Sequence, residues 1–92
     1  MPMTAKPPYP KTLHDEIRLL RLATAKTQSA AADELNISRQ TMQKYETGKQ
    51  NPRPTKLYEL VSGLMKMSNP NSREWDYRDK FRYLLYRYYI NN

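Results

Sequence analysis

Residues 27–52 read TQSAAADELNISRQTMQKYETGKQNP, and this stretch decides the architecture of the chain. It holds two short runs at helical spacing, parted by a tight turn at Asn36-Ile37 and closed by Glu46-Thr47-Gly48-Lys49 and Pro52. Thr27 and Ser38 each stand one residue before a run, where a side-chain oxygen can accept from free backbone N–H groups. Ala31, Ala32 and Leu35 give the first run a narrow apolar stripe, Met42 and Tyr45 face inward from the second, and Ile37 lies in the turn. Small residues at 31 and 32 suit two helices that cross steeply over a short connection. Asn36 sits where positive φ is usually needed, and Asn tolerates that region better than any residue except Gly. The spacing predicts helices over 28–35 and 39–47, with Gly48 as a left-handed stop.

Such a pair is a helix-turn-helix, whose second helix enters a DNA major groove. From about Ile17 to Leu64 the chain resembles the lambda-repressor-like (Cro/CI, XRE) family of DNA-binding domains. The matching marks are Arg21 in helix 1, Gln28 opening helix 2, and Ala32, Asn36 (usually Gly in the family) and Ile37 through the turn. Glu46-x-Gly48-Lys49-x-x-Pro52 matches at and after the end of helix 3. One departure is Lys26, where the family commonly has an apolar residue; its aliphatic stem can substitute by lying along the core. Arg21 falls beside the inward face of helix 1, an expensive place for an unpaired charge. The resemblance implies that it pairs with Glu46, whose carboxylate near a helix C-terminus itself calls for a cation. It also implies that Gln28 touches a phosphate and braces the first residues of helix 3. Finally it implies a two-fold dimer on a palindromic operator and a role in transcription, as a repressor of phage, plasmid or autoregulatory type.

Helix 3 would present Arg39, Gln40, Gln43 and Lys44 outward, with Ser38 and Thr41 at the edge. Arg or Lys can bond guanine at O6 and N7, Gln can bond adenine at N6 and N7, and the Thr41 methyl can meet thymine. These six are the candidate base-contacting residues. Thr27, Gln28, Lys49, Gln50, Asn51 and Arg53 are the candidate phosphate contacts, which set register and affinity without reading sequence. Charge supports this placement. The chain carries 16 Lys+Arg against 9 Asp+Glu, net +7. Between Ser38 and Lys56 there are five bases and one acid, so four units of that excess fall on the second run and the loop after it.

Outward from this unit, residues 1–11 carry four prolines and read as a flexible, basic arm. Such an arm is either an unstructured tail or, through Lys6 and Lys11, a second contact with DNA. Helix 1 is expected to begin with Thr12 as cap and Asp15 closing a capping box. Leu13, Ile17, Leu20 and Thr24 would form its inward face, and His14 would be solvated. Pro52 and Pro54 enforce a loop, Thr55 is expected to cap helix 4, and Leu57, Leu60, Val61 and Leu64 form its stripe. Ser68–Ser72 breaks the chain again. The last segment holds the only Trp, the only Phe and five of the eight tyrosines. There Tyr77, Phe81, Leu84, Leu85 and Tyr88 make one helical face, and Trp75, Arg78, Arg82, Tyr86 and Tyr89 a second. That is more aromatic surface than a small body can hide, so Trp75, Tyr77, Phe81, Leu84, Leu85 and Tyr88 become candidate dimer or partner contacts.

The expected fold is all-α, a four- to five-helix bundle with a helix-turn-helix and a C-terminal aromatic-rich helix. Its organisation is an arm (1–11), a DNA-binding unit (12–68) and a C-terminal contact helix (69–92). With no cysteine and one histidine, no disulfide or metal site is expected, nor any cofactor. The sequence shows no catalytic constellation, no apolar run of membrane length and no signal peptide, so a cytoplasmic, nucleoid-associated binding protein is expected rather than an enzyme. Two other readings stay open: an antitoxin-like regulator whose tail binds a second protein, and an adaptor with mainly protein contacts.

Overall fold

A computed structural model describes residues 10–90. Apart from Pro10 and Lys11, the proposed arm lies outside the described residues. Five α-helices follow one another: α1 (Leu13–Leu22), α2 (Gln28–Leu35), α3 (Arg39–Thr47), α4 (Pro54–Ser68) and α5 (Glu74–Leu85), continued by a π-helical turn, Tyr86–Ile90. The fold is all-α, as expected from the helical spacing.

Local chemistry sets the helix ends. The Thr12, Thr27 and Ser38 hydroxyls accept from the backbone N–H of Asp15, Ala30 and Thr41 at 3.2, 3.1 and 3.0 Å. Asn36 (φ 60°) and Gly48 (φ 82°) end α2 and α3 in the left-handed region. Several expectations need correction. Asp15 does not close a capping box at α1 but lies 3.9 Å from His14. His14 is only partly exposed, because its ring packs on Gly48; a Cβ on Gly48 would come within 2.7 Å of the imidazole. Thr24 falls past the end of α1, where its hydroxyl donates to the Arg21 carbonyl and accepts from Lys26 N–H. Ala25, at φ 62°, completes that turn. Thr55 is not a cap: α4 starts at Pro54, whose fixed φ and missing N–H suit the first helical position.

A single core runs through all five helices. Leu13 and Ile17, Ala31 and Ala32, Met42 and Tyr45, the four apolar residues of α4, and Tyr77 and Leu84 are all buried together. Burying an aliphatic side chain of this size contributes about 1.5–3 kcal/mol. Gly63 lets α2 approach α4 closely, since a Cβ there would overlap Leu35 Cδ2 at 2.4 Å. Leu84 is fully buried, so α5 shares this core rather than forming a separate unit. Tyr58 of α4 joins the two helices with edge-on ring contacts to Tyr77 (6.2 Å) and Phe81 (5.3 Å).

A buried acid fixes the far end of the chain. Glu16 on α1 is 4% exposed, and its carboxylate accepts from Lys80 (3.1 Å) and the Tyr88 hydroxyl (3.2 Å), with Arg87 at 3.8 Å. The π-helical turn also departs from the straight helix that the aromatic spacing predicts. Its i→i+5 bonds widen the backbone, so each residue rotates less and Tyr88 and Tyr89 both point inward. Tyr89, expected on the outer face, donates its hydroxyl to the Pro52 carbonyl.

Candidate nucleic-acid interface

Helix α3 sorts its residues cleanly. Met42, Tyr45 and Glu46 are buried; Arg39, Gln40, Gln43, Lys44 and Thr47 are exposed, and Thr41 is half-buried. Among the described residues, the side chains of Arg39, Gln40, Gln43 and Lys44 have no hydrogen-bond or ion-pair partner. Their donors and acceptors therefore remain available on one face. Ser38 is differently placed. Its hydroxyl accepts from Thr41 N–H and donates to Thr41 Oγ1 at 2.9 Å, so both residues are partly committed to the helix cap.

The back of α3 is clamped by charge. Arg21 Nε donates to Glu46 Oε2 at 2.7 Å and its Nη2 to Oε1 at 3.0 Å, while its Nη1 donates to the Lys26 carbonyl at 2.9 Å. Gln28 Nε2 adds a third donor to Glu46 Oε1 at 3.2 Å. The Gln28 amide is thus directed to the last turns of α3, not to the first residues that the family resemblance implies. The clamp joins α1, α2 and α3 through one carboxylate. Lys26 pairs with Glu34, so its head stays at the surface.

Around the N-terminus of α2, Arg21, Thr27, Gln28, Ser29 and Arg39 line an open cleft of about 510 Å³. It sets the unpartnered Arg39 guanidinium beside the first N–H groups of a helix, a combination that favours anions, while the Arg21 guanidinium is committed to Glu46. The Thr27 hydroxyl is occupied as the α2 cap. At the opposite end of α3, Lys49, Gln50, Asn51 and Arg53 are all exposed. Their loop begins with Lys49 and Gln50 N–H groups on the Lys44 carbonyl, at 3.0 and 3.3 Å. Four exposed α3 side chains are thereby flanked by an anion-favouring cleft and a cationic loop.

The six C-terminal candidates do not share a surface. Tyr77 and Leu84 are buried against the same chain's own helices; Phe81, Leu85 and Tyr88 are half-buried, and Trp75 is exposed. Tyr77 and Leu84 are therefore core residues, because α4 offers α5 an apolar flank. Among the described residues, the exposed large apolar groups are Trp75 together with Leu19, Leu22, Tyr83, Tyr86 and Ile90. Spacing also missed Glu16, Tyr58 and Tyr89. Position 16 lies on the 13, 17, 20 stripe of α1, so a charge there signalled a buried partner. Nothing local marked Tyr89, whose placement depends on the π-helical turn.

Comparison with known proteins agrees with this geometry. A family model described as a helix-turn-helix domain matches residues 13–65, from the start of α1 into the last turns of α4. No curated protein and no solved structure matches the chain. With more than half of its length matched and its turn, caps and clamp in place, the chain belongs to the helix-turn-helix domain family, in keeping with the lambda-repressor-like type.

Proposed function

We propose that the chain is a sequence-specific double-stranded DNA-binding regulator that places α3 in the major groove. The observation that carries this is the exposed α3 face of Arg39, Gln40, Gln43 and Lys44, all without partners among the described residues. Unused hydrogen-bonding groups of these types fit base edges directly. Thr41 adds its methyl at the rim. Ser38, held in the cap, would contribute at most one further contact. Thr27, Gln28, Lys49, Gln50, Asn51 and Arg53 would bind phosphates on either side, and so fix register. The action is binding, with no cofactor.

The regulator would act as a homodimeric repressor on a palindromic operator, in the cytoplasm where DNA is accessible to it. Half-sites would lie about 10–10.5 bp apart or a multiple of that. Leu19 and Tyr83 share an open groove of about 550 Å³ between α1 and α5. With Tyr86 and Ile90 these residues are better suited to a subunit contact than Tyr77 or Leu84. A second reading, an antitoxin-like regulator with a protein partner at α5, is favoured by Trp75, which is 59% exposed beside the Arg73 guanidinium.

Selection of binding sites from random duplex DNA tests the proposal. An enriched inverted repeat is expected. Enrichment of no sequence, with weak binding that vanishes at moderate salt, would favour an adaptor with mainly protein contacts.

A further inference from the structure

Within the loop that follows α3, the two ends are held differently from the middle. Its start is fixed by Gly48 and by the two N–H groups on the Lys44 carbonyl, and its end by Leu57 N–H on the Arg53 carbonyl at 2.7 Å. Across Asn51 and Pro52 the backbone has one hydrogen bond among the described residues, the one from the Tyr89 hydroxyl to the Pro52 carbonyl. Pro52 is fully buried, yet Asn51 and Arg53 beside it are exposed. The bond therefore lies directly beneath the two side chains that point to solvent. Burial, and secondarily Tyr45, push the Tyr89 phenol up to about 12, so the hydroxyl keeps its proton and stays a donor at neutral pH.

We propose that Tyr89 is a positioning residue for DNA binding: the C-terminal turn holds the loop of Lys49–Arg53 in the shape that meets the phosphate backbone. This rests on the reading of that loop as a phosphate contact. It gives the C-terminal segment a part in binding that requires no second subunit. Tyr88, its neighbour, bonds Glu16 on α1 and serves as the internal comparison, since it donates from the same turn but not to the loop.

The test uses the full chain and a labelled random-sequence duplex, titrated over a range of salt concentrations with wild type, Tyr89→Phe, Tyr88→Phe and Lys49→Ala. Tyr→Phe removes a hydroxyl and keeps the ring, so both variants remain folded at the assay temperature, as melting curves would verify. Tyr89→Phe should bind about fivefold more weakly at low salt, with the slope of log K against log salt shallower by about one unit. Tyr88→Phe, which leaves Lys80 and Arg87 on Glu16, should keep the wild-type slope and lose less affinity than Tyr89→Phe. A change in stability alone would not move the slope of a folded protein. Wild-type behaviour from Tyr89→Phe, or an equal loss from Tyr88→Phe, overturns the positioning role. If Lys49→Ala flattens the slope while Tyr89→Phe does not, the loop binds phosphate without Tyr89. If wild type binds no duplex, or Lys49→Ala leaves the slope unchanged, the phosphate-contact reading fails, and the positioning role with it.

Discussion

Arg21 and Glu46, twenty-five residues apart, form a two-bonded ion pair at 2.7 and 3.0 Å, with side chains only 13% and 2% exposed. It ties the first helix to the back of the helix that would face DNA. Two charges removed from water are tolerable here because each is nearly saturated. Glu46 also receives Gln28, and Arg21 also donates to the Lys26 carbonyl.

Breaking this pair from either side strands a buried charge. Arg21→Ala and Glu46→Ala should each destabilise by about 3–5 kcal/mol. The double variant should cost less than the sum of the two, by more than about 0.5 kcal/mol. Urea melts of the four proteins measure the difference. Strict additivity would show that the two side chains do not interact in solution.

Glu16 makes the corresponding connection to the C-terminus. Glu16→Ala should leave Lys80 and Tyr88 without their acceptor and cost about 1–3 kcal/mol. Amide exchange should quicken over residues 80–90 more than in α2 or α3. Uniform acceleration across the chain would argue against a local tether.

Alkaline pH should release the same region. Tyr88 is pushed up to about 12 chiefly by burial and then by the Glu16 carboxylate, and Tyr89 to about 12 by burial and Tyr45. Both values lie above the ordinary 10.0, so the folded state holds these protons more tightly than the unfolded chain. Their contribution is complete below pH 10 and declines as pH rises toward about 12. Unfolding followed from pH 8 to 12 should show this fall in wild type and a smaller one in the Tyr88→Phe, Tyr89→Phe double variant. Equal slopes in the two proteins would contradict it.

These tests divide along the line between what the sequence revealed and what it hid. α2 and α3 were legible to the residue because their boundaries rest on local chemistry: Thr27 and Ser38 as caps, Asn36 and Gly48 as left-handed stops. The exposed face of α3 followed from its period. Helix 1 was less legible: a charge on its apolar stripe signals a buried partner, but the Lys80 and Tyr88 that satisfy Glu16 are distant in sequence and nothing local names them. Pro54 reads as a loop residue because proline both breaks helices and starts them, and its neighbours do not say which. The C-terminus was the least legible part. Tyr77 and Leu84 went to the core because Tyr58 and the α4 stripe provide a flank, and Tyr89 turned inward because the backbone widens.

Self-association, if the C-terminal region provides it, should depend on the exposed groups and not on the buried ones. Tyr83→Ser with Tyr86→Ser should give a folded monomer by light scattering, which loses its preference for half-site spacing. Deleting α5 is a poorer test, because it removes Leu84 from the core. A double variant that stays dimeric and spacing-selective would place the contact elsewhere.

Base reading by α3 is tested most directly by the affinity of Gln40→Ala and Lys49→Ala, each measured on the selected operator and on a scrambled duplex of the same length across salt. Gln40→Ala should lose about 1–3 kcal/mol on the operator, with little change on the scrambled duplex. Lys49→Ala should weaken both alike and flatten the salt slope by about one unit. Equal losses on both duplexes for Gln40→Ala would contradict the central claim, and show that the exposed face of α3 does not read bases.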